Sequence, residues 1–326
     1  MNKQKVLLII LIVAVIFSLC GFFYLTTTDN KTDKDSKEKK TEQQKKSEKP
    51  KEKKKDSEKK KKEATANALK SAYTKENPLK IQIDPGHGGN DSGAPANVGG
   101  TTVYEKDVNL RIAKMLKEEL EKYDNVKVMM TREGEENPDI AARVQMAIDN
   151  GADLLVSVHN NSYGGDFRYS DGTMVLAATG NFDSKTAEED QTLGAYILRE
   201  LKTTGLKDRG LLLRINKEGE RYSNGNYSDY YGIVRRSTTA GLSGIIIEHA
   251  YIDNQGDYEI ALSSDDKMRA LAKADARGIA AYYRLDPMSR KTEIYETQTI
   301  NMEDETEENT EYTPKFFELN VPAEGE

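Results

Sequence analysis

The chain has 326 residues, a formal net charge of −7, 37% hydrophobic residues and a single cysteine, Cys20. One cysteine excludes an intramolecular disulfide and any metal site built from several thiolates. Charged and apolar residues are unevenly distributed, so the average composition hides segments of different classes.

Residues 6–25, VLLIILIVAVIFSLCGFFYL, form an uncharged apolar run of twenty residues that follows Lys3 and Lys5. A helix of this length spans a hydrocarbon core of roughly 30 Å. The basic flank predicts a cytoplasmic N-terminus and an external remainder. We therefore predict a transmembrane anchor or signal segment over residues 1–27 and a single-pass protein of the cell membrane. The alternatives are secretion after signal cleavage and lipidation of Cys20, although no small residue precedes that cysteine.

A basic segment follows the apolar run. Residues 31–62 contain 16 lysines and 8 acidic residues with almost no apolar side chains. Such a sequence cannot bury enough surface to offset the entropy of ordering. We predict a disordered lysine-rich spacer over residues 28–77. Because no aromatic residues are interleaved with the lysines, we expect no nucleic-acid partner.

Residues 78–286 alternate between strand and helix patterns and are predicted to form a single α/β domain. Its sheet should be mostly parallel or mixed and flanked by helices. The predicted strands lie at 80–84, 125–131, 153–159, 172–178, 230–235 and 244–249, and the predicted helices lie at 106–123, 138–150, 188–204 and 265–284.

The opposite end of the chain is acidic. Residues 303–326 carry 9 acidic residues and one basic residue, Lys315. This composition predicts a disordered acidic tail over residues 287–326.

Three residues with chemically useful side chains follow or end predicted strands of the domain. His87 lies in the loop DPGHGG after the first strand, His159 ends DLLVSVH, and Glu248 ends GIIIE. Because ligands bind beyond the carboxyl ends of parallel strands, we expect these residues to share one edge of the sheet. The glycine-rich loop lacks the spacing of a phosphate-binding loop.

Hydrolytic zinc sites usually have three His, Glu or Asp ligands and one open position. His87 and His159 are two candidates, and Glu105, at the start of a predicted helix, is the third. The alternatives are a turn histidine, a hydrogen-bonded core histidine and a helix-capping acid, respectively. His249 should point away from Glu248 because neighbouring residues on a strand face opposite sides.

Several segments together resemble the zinc-dependent N-acetylmuramoyl-L-alanine amidases. They are, in order, DPGHGGNDSGA, EKDVNLRIA, VMMTR, ARVQMAIDNGADLLVSVHNNS, LKDRGLLLR and GIIIEHAYIDN. The resemblance covers about residues 79–285. It implies one Zn²⁺ bound by His87, Glu105 and His159, with Glu248 as the catalytic glutamate.

The implied activity is that of a cell-wall hydrolase, or autolysin, that cleaves the amide between N-acetylmuramic acid and L-alanine in peptidoglycan. Peptidoglycan is then the substrate, and the N-terminal helix contacts the membrane. An unidentified protein activator is a further possible partner. The alternatives are a zinc peptidase acting within the stem peptide and a non-catalytic wall-binding protein.

Polar residues near these motifs carry further expectations. Asn160 and Asn161 are expected to hydrogen-bond the substrate, whereas Arg132 and Arg143 are expected to form structural ion pairs.

Overall fold

The computed structural model describes residues 71–162, 171–286, 289–303 and 310–323. The predicted anchor and most of the predicted spacer lie outside these ranges. Among the residues that the model describes, no helix is both long and apolar enough to cross a membrane.

In the described part of the chain, eight strands lie side by side in one mixed sheet in the order β11-β10-β7-β6-β9-β5-β1-β4, and a ninth, β8, pairs with β7. β4, β1, β5 and β9 are parallel to one another, whereas β6 is antiparallel to β9. A separate hairpin joins β2 to β3. The strands are β1 Leu79–Pro85, β2 Pro95–Val98, β3 Thr101–Tyr104, β4 Val126–Met130, β5 Leu154–Asn161, β6 Thr173–Leu176, β7 Asp208–Arg221, β8 Tyr227–Asp229, β9 Ser243–Tyr251, β10 Arg290–Met302 and β11 Thr310–Pro322.

Helices cover both faces of the sheet and bury alternate residues of its strands. The side chains of Val156 and Ile245 pack with α1, α3 and α5 on one face. Leu155 and Ile246 pack with α2 and α4 on the other. The predicted α/β domain with a mixed sheet flanked by helices is confirmed. The helices are α1 Glu105–Leu120, α2 Ile140–Asp149, α3 Ser184–Leu201, α4 Gly232–Thr239 and α5 Asp265–Tyr283.

The strand predicted at 230–235 is wrong, because this segment contributes to α4. Ile233 and Val234 are buried, and so are Ser237 and Thr238 one turn later. Burial at this spacing is typical of a helix that places one side on a core. The β-branched residues suggested a strand, but packing against β9 and α2 decided the outcome.

The prediction of a disordered tail over residues 287–326 is also wrong for most of its length. β10 pairs in parallel with β7, and β11 pairs antiparallel with β10. An alternating pattern explains why this segment forms a strand. Phe317, Leu319 and Val321 are buried, whereas the side chain of Glu318 between them faces solvent. Glu318 occupies the exposed side of a period-2 pattern.

The predicted spacer ends earlier than residue 77, because residues 71–77 pack on the domain. The Ser71 hydroxyl donates to the carbonyl oxygen of Tyr283 at 3.0 Å. The rings of Tyr73 and Tyr283 meet edge to face with centroids 5.7 Å apart.

Candidate metal centre

Three side chains from distant parts of the sequence converge beyond the carboxyl ends of β1 and β5. One ligand atom from each of His87, Glu105 and His159 lies within 4.8 Å of the other two. Nε2 of His87 is 3.1 Å from Oε2 of Glu105. Nδ1 of His159 is 3.0 Å from Oε1 of the same carboxylate. The sequence predicted this convergence, and the structure places all three residues together.

The loop after β1 presents His87 in an unusual backbone conformation. His87 has φ 63°, in the left-handed region that side chains other than glycine rarely adopt. Its Nδ1 lies 2.9 Å from Oδ2 of Asp91. A proton on Nδ1 shared with this carboxylate leaves the lone pair of Nε2 directed at Glu105. Such carboxylate–histidine pairs orient the imidazoles of metal sites.

Glu105 is the first residue of α1, and only 4% of its surface is exposed. Its Oε2 accepts a hydrogen bond from the backbone N–H of Ala94 at 2.9 Å. Its Oε1 accepts from Nδ2 of Asn109 at 3.1 Å and from the backbone N–H of Asn160 at 3.3 Å. The carboxylate is therefore held by three donors in addition to the two imidazoles.

Two glycines make room for this arrangement. A Cβ atom at Gly86 would lie 2.2 Å from the ring of His159. A Cβ atom at Gly93 would lie 2.5 Å from Oε2 of Glu105, and Gly93 has φ +62°. The loop thus requires glycine where its backbone approaches the two ligand side chains.

The electrostatics of the cluster favour a bound cation. Burial by itself raises the pKa of Glu105, but hydrogen bonds and charge interactions with His159 and His87 hold it well below its ordinary value. Burial lowers the pKa of His87, yet the carboxylates of Glu105 and Asp91 outweigh it and raise that pKa to about 9. One buried carboxylate between two imidazoles attracts positive charge, which either protons or a metal ion supplies. The donor set is of the kind that binds zinc in hydrolases.

Glu248 stands beside this cluster on the adjacent strand. It is directly paired with His159 in the β5–β9 register, so both side chains face the same side of the sheet. Its Oε2 is buried and accepts no hydrogen bond from any described residue. Burial raises the pKa of Glu248 to about 7, while the charge of His159 opposes the rise. A carboxyl group with this pKa exchanges protons near neutral pH.

His249 points away from the cluster, as the strand alternation predicts. It is fully buried, and its Nε2 lies 2.7 Å from Oδ2 of Asp275 on α5. Its Nδ1 lies 3.1 Å from the carbonyl oxygen of His159. His249 therefore connects α5 to the end of β5.

Both arginines form internal contacts. The predicted structural ion pair is confirmed for Arg143, whereas Arg132 donates to backbone carbonyl oxygens. Arg143 pairs with the buried carboxylate of Asp84, Nη1 to Oδ1, at 2.7 Å. Arg132 donates to the carbonyl oxygens of Pro85 and Gly86, both at 3.0 Å. Together they hold the carbonyl groups of the loop that carries the first histidine.

The expectation that Asn160 contacts substrate is wrong. Only 2% of Asn160 is exposed, and its Nδ2 donates to Oδ1 of Asn109 at 2.9 Å. No role was predicted for Asn109 or Asp91, although both follow a candidate ligand by four residues, a spacing at which side chains meet on a helix.

Comparison with known proteins supports the assignment that the motifs suggested. Residues 81–281 match the family model described as N-acetylmuramoyl-L-alanine amidase. This chain belongs to the N-acetylmuramoyl-L-alanine amidase family. The range matched by the amidase model begins in β1 and ends in α5, so β10 and β11 lie beyond it.

Individual amidases and an endolysin are similar to the same part of the chain. The endolysin of Bacillus phage SPP1 is 30% identical over 209 residues, which is 64% of this chain and 68% of the endolysin. The amidase CwlM of Bacillus licheniformis is 29% identical over 212 residues, which is 64% of this chain and 70% of CwlM. The crystal structure of an N-acetylmuramoyl-L-alanine amidase from Clostridium difficile 630 has a TM-score of 0.51 and 25% identity, covering 63% of this chain and 97% of that one.

Proposed function

We propose that this amidase binds one zinc ion through His87, Glu105 and His159 and uses Glu248 as its general base. The family establishes the reaction, which is hydrolysis of the amide between N-acetylmuramic acid and the L-alanine of the peptidoglycan stem peptide. The observation that supports the zinc site is the mutual approach of three suitable ligand atoms within 4.8 Å.

A zinc ion held by these residues would lower the pKa of water towards ~7 and would polarise the substrate carbonyl. The side chains around it are positioned for their tasks. Asp91 fixes the ring of His87, and the amides of Ala94 and Asn109 fix the carboxylate of Glu105. Metal sites with such outer contacts lose affinity when these are removed.

Glu248 accepts the proton of the attacking water and then donates it to the departing alanine nitrogen. Its pKa, raised by burial to about 7, suits both tasks because the group can gain and lose a proton near neutral pH. Its buried Oε2 accepts no hydrogen bond within the described ranges, so that atom has no internal donor competing for its lone pairs.

The test is product analysis with the full chain acting on purified peptidoglycan. Mass spectrometry should find released stem peptides with an N-terminal alanine and glycan strands without peptide, and a chelator should stop their release. Shortened peptides still attached to muramic acid would indicate a zinc peptidase instead. The absence of any product would indicate a wall-binding protein.

Two variants separate metal binding from proton transfer. Glu248→Gln should keep the wild-type zinc content, measured by elemental analysis, while hydrolysis falls by roughly 10²- to 10⁴-fold. His87→Ala should lose both zinc and activity. Release of stem peptides by Glu248→Gln at the wild-type rate would contradict the role of Glu248.

The membrane anchor over residues 6–25, the location outside the cell and a protein activator stay predictions from the sequence. With them, the catalytic domain would act on wall material near the membrane.

A further inference from the structure

A cavity of about 670 Å³ opens beside the candidate metal centre. His87 and His159 line one part of it, and Ile140, Tyr231 and Arg236 line another. This volume is within the range of about 300–1,000 Å³ that is usual for ligand sites. The cavity therefore has room for substrate groups on one side of the scissile bond.

A second cavity of about 430 Å³ adjoins the first. Both are lined by Ala141 of α2 and Arg236 of α4, and we call the two cavities together the α2–α4 groove. Ile140 and Ile148 of α2 line it, although 48% and 43% of their surfaces are exposed. Exposed apolar residues beside a site are a usual feature of surfaces that bind ligands.

The charges of the first cavity leave one cation available to a ligand. Arg143 is already paired with a buried carboxylate. Arg236 is exposed, and no residue in the described ranges forms an ion pair or a side-chain hydrogen bond with its guanidinium. The three carboxylates of the lining each accept a hydrogen bond from a protein donor: Asp84, Asp91 and Asp139.

We propose that the α2–α4 groove binds the stem peptide and that Arg236 pairs with a free carboxylate near the peptide's N-terminal end. This inference rests on the proposed function, because the peptide must extend away from the scissile amide at the metal centre. The scissile amide is at the N-terminal end of the stem peptide, so each later residue lies farther from the centre, by at most about 3.3–3.6 Å per residue. The isoleucines suit the small apolar side chains of such a peptide.

Charge complementarity favours the peptide over the glycan strand as the occupant. The lactyl carboxyl group of muramic acid is consumed in the amide, so the strand next to the bond is uncharged. The stem peptide carries free carboxylates. A guanidinium forms two parallel hydrogen bonds with a carboxylate, and this geometry selects for that group.

The test compares paired soluble substrates. The first pair is two muramoyl tripeptides whose second residue, joined onward through its γ-carboxyl group, is D-glutamate or D-isoglutamine. Muramoyl tripeptides with a free or amidated carboxylate on the third residue form a second pair. In at least one of the two pairs, the wild-type enzyme should have a kcat/KM about five- to tenfold higher for the acid than for the amide, mainly through a lower KM. Arg236→Gln should bring that ratio close to one, and Arg236→Lys should retain part of it.

Lys114→Gln provides a matched control, because Lys114 is exposed on α1 and lines neither cavity of the groove. It should keep the wild-type ratio. The assignment would be overturned if Arg236→Gln kept the wild-type ratio of kcat/KM between acid and amide. It would also be overturned if this variant lost kcat/KM equally for both members of each pair. A wild-type enzyme that does not discriminate within either pair would overturn it as well.

Calorimetric binding of the released peptides separates this inference from the proposed function. The acid peptides should bind the wild type more tightly than Arg236→Gln by the same factor, and this needs no turnover. Peptide binding without hydrolysis would contradict the proposed function alone. Binding that Arg236→Gln leaves unchanged would contradict the role of Arg236.

Discussion

Replacing Arg143 by methionine should weaken both the fold and the metal centre. Its Nη1 donates to Asp84 at 2.7 Å and to the carbonyl oxygen of Pro85 at 2.8 Å. Its Nη2 donates to the carbonyl oxygen of His87 at 2.8 Å. The side chains of Arg143 and Asp84 are only 5% and 1% exposed. The substitution therefore leaves a buried carboxylate without its counter-charge.

The expected magnitude follows from this burial. Removing one partner of a buried ion pair costs about 3–5 kcal/mol. For a domain of this size each kcal/mol lowers the melting temperature by roughly 2–4 °C, which gives a decrease of about 6–20 °C. The loop also loses the donor to His87, whose left-handed backbone persists only while its surroundings hold it. Zinc affinity should therefore fall by roughly 10- to 100-fold.

Calorimetry of the metal-free chain measures the first effect, and competition with a zinc-binding dye measures the second. Arg111→Met provides a matched control, since Arg111 pairs with Asp265 on the surface and their side chains are 50% and 67% exposed. Exposed pairs contribute about 0–1 kcal/mol, so this variant should unfold almost as the wild type does. If Arg143→Met lost less than about 1 kcal/mol or kept the wild-type zinc affinity, the argument from the loop contacts would fail.

The remaining predictions concern stability. Burial raises the pKa of Asp190 to about 8. The contribution of this group to stability is therefore complete when the pH is below its ordinary pKa, and it is lost as the pH rises towards about 8. Asp190→Asn should remove this dependence on pH. Between about pH 5 and pH 7 the free energy of unfolding of the wild type, measured in urea, should fall by roughly 2–3 kcal/mol relative to that of the variant. Free energies of unfolding that change with pH in the same way in both proteins would contradict this. Ending the chain at residue 286 should lower stability by several kcal/mol, because the buried Leu319 and Val321 contribute about 1.5–3 kcal/mol each. Equal resistance of the truncated and full chains to proteolysis would show that β10 and β11 do not support the domain.

Much of the fold could be predicted because its signals are local. The apolar run before His159 and the run before Glu248 identified two neighbouring strands, and their polar ends identified the edge where chemistry occurs. The segments with mistaken predictions are those whose structure depends on distant partners. The tail carries an alternating apolar pattern, but the stability of its strands comes from pairing with β7. Paired residues of β10 and β7 are 88 positions apart in the chain, as in Thr299 and Leu211.

The sequence by itself determined which residues could form the centre, since His87, Glu105, His159 and Glu248 are recognisable from residue type, strand ends and motif order. Only the tertiary structure decided which polar groups are already hydrogen-bonded within the protein. Asn160 looked available to a ligand in the sequence, yet it is buried against a second amide. Arg236 had no predicted role, yet it faces the groove. The reason is physical: a hydrogen bond or an ion pair requires two groups within a few ångströms, and folding alone sets that distance for residues far apart in the chain.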